Sequence, residues 1–118
     1  MKSIVNKNWG FFEIINEGKK YTVKKLIVKP GGQLSLQSHE GRSEHWLIVE
    51  GNAEVIINEE TFNLHENQHI FIPQGAKHRL ANWGDQTLIV VEIWFGDKLD
   101  ENDIKRYEDK EDKYDRDS

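Results

Sequence analysis

The chain has no cysteine, which excludes disulfides and any thiolate metal site. It has no apolar segment near the roughly 18 residues that a membrane span needs, and no membrane partner is expected. The N-terminal residues MKSIVNKNW lack the apolar run of a secretory signal, so a cytoplasmic location is the default expectation. There is no basic surplus either. The net charge of −5 weighs against a nucleic-acid partner, which would favour a basic face. No helical period appears before residue 100, and no glycine-rich loop that could cradle a nucleotide's phosphates. The length of 118 residues suits one domain with a single core of modest size.

What is present is a β pattern. FFEII (11–15), YTVKKLIVK (21–29), HWLIVEG (45–51), AEVIIN (53–58), a short run at 61–64, HIFIP (69–73), HRLANW (78–83) and TLIVVEIWF (87–95) are rich in β-branched and aromatic residues. Turn residues such as PGG at 30–32 and QGAK at 74–77 separate them. Seven to nine short strands at this spacing predict a sandwich or barrel, so the fold class is all-β. Residues 1–99 are expected to form the barrel domain and 100–118 a charged tail. The tail's first part, DENDIKRYED, has the composition of a short helix capped by Asp100, and its end, KEDKYDRDS, that of a frayed terminus.

QLSLQSH (33–39) alternates strictly, which predicts Gln33, Ser35, Gln37 and His39 on one face and Leu34 and Leu36 on the other. By itself this is an ordinary half-exposed strand. The offsets around it change the reading. Gly31, Gln37, His39, Glu44 and Gly51 are followed by Pro73, Gly75, His78 and Asn82. This series resembles the two motifs of the cupin superfamily, G-x5-H-x-H-x3–4-E-x6-G and G-x5-P-x-G-x2-H-x3-N. Gln37 stands in place of the first histidine, and Asn67 in place of the glycine before the proline. The resemblance implies a double-stranded β-helix (jelly-roll) barrel. It also implies one divalent metal ion held by His39, Glu44 and His78, with Gln37 as a fourth ligand, a substrate contact or a hydrogen-bond partner of one of the ligands. Such a mixed nitrogen–oxygen set suits zinc, manganese, iron, cobalt or nickel. His65 and His69 fall outside the pattern.

A narrower resemblance covers Trp9 to about Asp109. Trp9-Gly10, the KPG turn, LSLQ, Arg42, the EHW triplet at 44–46, ENQ at 66–68 and IPQGAKHRLAN at 72–82 are similar to the C-terminal isomerase domain of type II phosphomannose isomerases. Those enzymes are usually fused to a mannose-1-phosphate guanylyltransferase. Glutamine at position 37 fits that family. The family commonly reads Q-M-H-H-H-R where this chain has Gln37-Ser38-His39-Glu40-Gly41-Arg42.

The implied reaction is metal-dependent isomerisation of mannose 6-phosphate and fructose 6-phosphate through an enediol. That chemistry needs a proton-transfer group, for which Glu44 or a neighbouring histidine is the candidate, although strand alternation points His45 away from Glu44. It also needs cations for the phosphate, for which Arg42, Arg79, Lys24 and Lys77 are candidates. Lys24 and Lys77 read first as solvated surface lysines, and strand alternation points Arg79 away from His78. The alternatives are a non-catalytic sugar-binding or regulatory cupin partnering a separate guanylyltransferase, and an iron(II) dioxygenase. HWLIVEG and LIVVEIWF are apolar on both faces, which predicts a homodimer that covers the outer one.

Overall fold

The alternating runs do become strands. The computed structural model describes residues 3–107, and every regular element among them is β. One sheet has the order β1 (Ser3–Lys7), β2 (Gly10–Glu17), β3 (Tyr21–Val28), β10 (Leu88–Gly96), β5 (Arg42–Glu50), β8 (His69–Ile72). The second has the order β11 (Lys105–Tyr107), β4 (Leu36–Ser38), β9 (His78–Ala81), β6 (Ala53–Ile57), β7 (Glu60–Leu64). Neighbouring strands run antiparallel, and the expected jelly-roll architecture results.

Side-chain alternation sorts each strand into an inner and an outer face. On β5, Arg42, Glu44, Trp46 and Ile48 are buried, while Leu47 and Val49 are exposed. On β10, Leu88, Val90, Glu92 and Trp94 are buried, while Ile93 and Phe95 are exposed. The register places Leu26, Val90 and Ile48 in one row and Lys24, Glu92 and Trp46 in the next. Trp9, Phe12, Val28, Val55, Ile72 and Leu80 complete the apolar core between the sheets.

Three expectations are corrected. QLSLQSH is not one alternating strand. Only Leu36–Ser38 joins a ladder, and Gln33 makes an isolated bridge to Ala81. Gly31 N–H bonds the Asn82 carbonyl at 2.7 Å and Leu34 N–H bonds the Leu80 carbonyl at 2.9 Å. The segment is thus stitched to β9 at separate points, and without a continuous pleat Leu34 turns toward the same cavity as Gln37 and His39. The expected helix at 100–109 is also absent through Tyr107. Asp100 instead caps a turn, its Oδ1 accepting Asn102 N–H at 2.8 Å and its carbonyl accepting Asp103 N–H at 3.0 Å. Lys105–Tyr107 then pairs with β4, whose open edge offers more hydrogen bonds than an isolated helical turn would. The end expected to fray, 110–118, lies outside the described residues. Finally, β1 was missed because it has no buried face to create a period: Ile4 and Val5 are both exposed.

Asn67 explains one departure from the motif. Its φ is +69°, the left-handed region where glycine is usual and asparagine is among the tolerated residues. Asn82, buried completely, is structural. Its Nδ2 donates to the Val28 and Gln86 carbonyls at 3.0 and 2.8 Å, tying the ends of β3 and β9 to the loop between β9 and β10.

Candidate metal and ligand site

Among the described residues, His39, Glu44 and His78 form a buried cluster whose ligand atoms all lie within 4.8 Å of one another. They come from separate places in the chain. His39 follows β4, Glu44 is on β5 and His78 starts β9, directly opposite Gln37. The turn at Pro73–Gly75 braces the first of these. Gly75, at φ +82°, donates its N–H to the His39 carbonyl at 2.9 Å, and the Gln74 amide donates to the Glu40 carbonyl. The second motif therefore shapes the loop of the first.

Both imidazoles are oriented for coordination. His39 Nδ1 lies 2.7 Å from the Asp103 carbonyl and His78 Nδ1 3.0 Å from the Ala76 carbonyl. A carbonyl can only accept, so each Nδ1 carries the proton and each Nε2 keeps its lone pair. His39 Nε2 points at Glu44 Oε2, 3.4 Å away. Burial lowers the His39 pKa to about 4 and lowers His78 as well, which keeps both rings neutral as metal ligation requires. Gln37 commits its Nε2 to the Ser35 carbonyl and hydroxyl, both at 3.2 Å, which leaves its oxygen as the end suited to a cation. The donor set fits a divalent metal.

Glu44 is gripped from both sides. Oε2 accepts from Arg42 Nε at 2.9 Å and Oε1 from Trp46 Nε1 at 2.8 Å. Burial pushes its pKa up, but positive charge around it, from His78 and His39 when they are protonated and from Arg42, together with the indole N–H, holds the carboxyl below its ordinary value. A carboxylate so stabilised is a poor proton acceptor and a good anionic ligand.

The cluster lines a cavity of about 280 Å³. Three of the four candidate cations line it, and two of them, Arg42 and Lys24, turn their charge inward. Arg42 stacks over the Trp94 ring at 3.3 Å, and its Nη1 is buried without a hydrogen-bond partner. Lys24 is buried, correcting its reading as a surface residue, with Nζ 3.9 Å from the ring centres of both Phe12 and Trp94. Arg79 forms part of the cavity wall, but its guanidinium turns to Glu54 on the opposite face of the sheet, Nη2 to Oε1 3.8 Å. Lys77 is exposed and lies over the Tyr107 ring. His45 faces outward against Phe71, and His65 pairs with Asn52 at the surface.

Four contributors escaped the sequence reading. Glu92 is buried in the cavity wall, accepts from Trp94 Nε1 at 3.1 Å, and has its pKa raised to about 8 by burial and then by repulsion from Glu44. Its signal was available: it is an acid at an inward position of the apolar run LIVVEIWF. Trp9 lines the cavity with its Nε1 buried and unpartnered. Glu101 and Asp103 come from the segment read as tail. Asp103 accepts from the Glu40 and Gly41 amides at 3.1 and 2.7 Å. Gly41 matters here because a Cβ would sit 2.5 Å from Lys98 Cβ and 3.0 Å from Asp103 Oδ2. The glycine that departs from the Q-M-H-H-H-R pattern lets this segment pack against the loop.

Comparison with known families agrees with this geometry. The family model described as mannose-6-phosphate isomerase C-terminal matches residues 1–109. The chain belongs to that family. Curated relatives include xanthan biosynthesis protein XanB of Xanthomonas campestris pv. campestris, 47% identical over 105 residues, which are 89% of this chain and 22% of that protein. Mannose-1-phosphate guanylyltransferase ManC of Salmonella typhimurium is 45% identical over 106 residues, 90% of this chain and 22% of that one. Among solved structures, the oxalate decarboxylase of Lactobacillus farciminis in a formate complex has a TM-score of 0.78 at 23% identity, over 89% of this chain and 33% of that one. A cupin-2 domain, Rru_A2000 from Rhodospirillum rubrum, has a TM-score of 0.73 at 16% identity, over 86% and 78%. At these identities the structures establish the cupin fold alone.

The relatives overturn the expectation of a self-standing mannose 6-phosphate/fructose 6-phosphate isomerase. They are named for guanylyl transfer and polysaccharide biosynthesis, and this chain spans about a fifth (22%) of their length. It corresponds to one domain of such proteins. Among the described residues no helix is long and apolar enough to cross a membrane.

Proposed function

We propose that this chain is a metal-holding cupin module that binds a sugar phosphate and works with a mannose-1-phosphate guanylyltransferase. The observation that carries this is the shared cavity. The neutral imidazoles and the carboxylate of the ligand cluster share it with Arg42 and Lys24, two buried cations. When bound, a divalent ion held by His39, Glu44, His78 and the Gln37 oxygen supplies Lewis acidity toward sugar oxygens. Arg42 offers its unpartnered Nη1 and Trp9 its unpartnered indole N–H as donors for ligand oxygens. Lys24 supplies charge for the phosphate. The cavity is at the small end of ligand pockets, which run from about 300 to 1,000 Å³, and so suits a monosaccharide phosphate better than a nucleotide sugar. The link to a guanylyltransferase rests on the relatives' names and lengths.

The same reading includes a homodimer. Leu47 and Val49 of β5, Phe71 of β8, and Ile93 and Phe95 of β10 are exposed on the outer face of one sheet, and a second copy would cover them.

The test is metal analysis of the purified protein followed by calorimetric titration with mannose 6-phosphate and mannose 1-phosphate, with and without metal. Stoichiometric metal and metal-dependent binding of one of these esters is the expected result. Absence of binding by either ester at full metal occupancy would reject the reading.

A further inference from the structure

After β10 the chain turns back across the open end of the barrel before joining β4 as β11. On this path Glu101 reaches the cavity mouth and pairs with Lys24, Nζ to Oε2 at 2.9 Å and Nζ to Oε1 at 3.1 Å. The partners are unequally placed. The Lys24 side chain is 5% exposed and that of Glu101 52%. A buried ammonium between two aromatic rings has little water to solvate it and needs an anion beside it. An exposed carboxylate can return to water at small cost.

We propose that Glu101 is the built-in counter-ion of an anion subsite at Lys24, which a ligand's phosphate displaces, so that the cavity selects doubly charged phosphate esters over neutral sugars. This rests on the sugar-phosphate reading above. The backbone around Glu101 is held on both sides. Asp100 closes the turn, the Asp103 carboxylate binds the Glu40 and Gly41 amides, and β11 is paired to β4. The exchange therefore needs only rotation of the Glu101 side chain, with the segment in place. The other charges facing Lys24 set the contest. Arg42 repels it, and Glu92 on the neighbouring strand, whose carboxyl burial keeps largely protonated, attracts it only when ionised. A phosphate dianion brings twice the charge of Glu101 to the same ammonium and gains from Arg42 as well.

The experiment titrates the metal-loaded 118-residue chain with mannose 6-phosphate, inorganic phosphate and mannose, comparing wild type with Glu101→Gln. The substitution is isosteric and its site half exposed, and the variant's cooperative unfolding transition is measured first to establish that it is folded. We expect the variant to bind both phosphates roughly two- to fivefold more tightly, the scale of a partly exposed ion pair, with mannose unchanged. Adding Lys24→Gln to the variant should remove the gain. Equal binding of mannose 6-phosphate by wild type and variant would overturn the counter-ion role and leave the sugar-phosphate reading standing. Weaker binding of mannose and phosphate alike would mean that Glu101 contacts the sugar, and would also overturn it. If the variant gains inorganic phosphate through Lys24 while neither protein binds the sugar phosphate, the counter-ion role stands and the sugar reading falls. Failure of both proteins to bind any phosphate would reject both.

Discussion

The two ends of the barrel are built from the same strands with opposite chemistry. Inward positions on β3 run Thr22, Lys24, Leu26, Val28; on β5, Arg42, Glu44, Trp46, Ile48; on β10, Leu88, Val90, Glu92, Trp94. Antiparallel register stacks the polar halves at one end and the apolar halves at the other. The apolar end is held mainly by side-chain packing, with buried Asn82 tying Val28 to the loop after β9, and tolerates changes of shape poorly. The polar end concentrates Arg42, Glu44, Lys24, Glu92, His39 and His78 in low-dielectric surroundings. There each charge must be paired, neutralised or left for a ligand. The apolar half makes the fold stable enough to hold a polar half that would not fold for its own sake.

Four changes sharpen or break that division. The largest effect is expected from His78→Ala, which should abolish stoichiometric metal binding by elemental analysis while leaving the apolar core intact. Stoichiometric metal in this variant would refute the ligand set. Ile48→Ala, at the opposite end, should cost about 2–5 kcal/mol in urea unfolding without changing the metal-to-protein ratio of the folded protein. A simultaneous loss of metal there would mean that the two ends are not separable.

The third change tests neutralisation. Glu92 has its pKa raised from 4.5 to about 8, so the folded state holds a proton that the unfolded chain gives up. The stability this confers is present below pH 4.5 and is lost as the pH rises toward 8. Glu92→Gln keeps the hydrogen bond from Trp94 and stays neutral. Its unfolding free energy relative to wild type should therefore climb steadily across that interval, and a flat difference would show that Glu92 is ionised throughout. The smallest effect on the fold is expected from Leu47→Asp on the outer face, within about 0.5 kcal/mol for the single chain. By light scattering, however, it should convert a dimer to a monomer. A wild-type protein that is already monomeric at micromolar concentration would remove the homodimer from the reading.

Much of the architecture was legible. Period-two patterning marked the strands with buried faces, because burial of one face is what creates the period. It missed β1, whose apolar residues are exposed, and misjudged 33–39, where separate stitches to β9 replace a pleated ladder. The tail misled for another reason. A mixed-charge segment with an Asp cap has helical propensity, but a few tenths of a kcal/mol per residue cannot compete with an open strand edge and a buried lysine that needs an anion. Glu92 was visible as a lone acid in LIVVEIWF, yet its environment was not, since its row partners Lys24 and Trp46 are distant in sequence.

Strand period, a local property of the chain, marked an all-β protein from the residues alone, and the resemblance of its spaced residues to the cupin motifs marked the barrel and His39, Glu44 and His78. Tertiary structure alone decided which charges share the cavity. It turned Arg42 and Lys24 inward, sent the Arg79 guanidinium to Glu54, raised the Glu92 pKa and brought Glu101 and Asp103 across the mouth. Burial and pairing across strands are set by contacts between distant segments, and no local pattern encodes them.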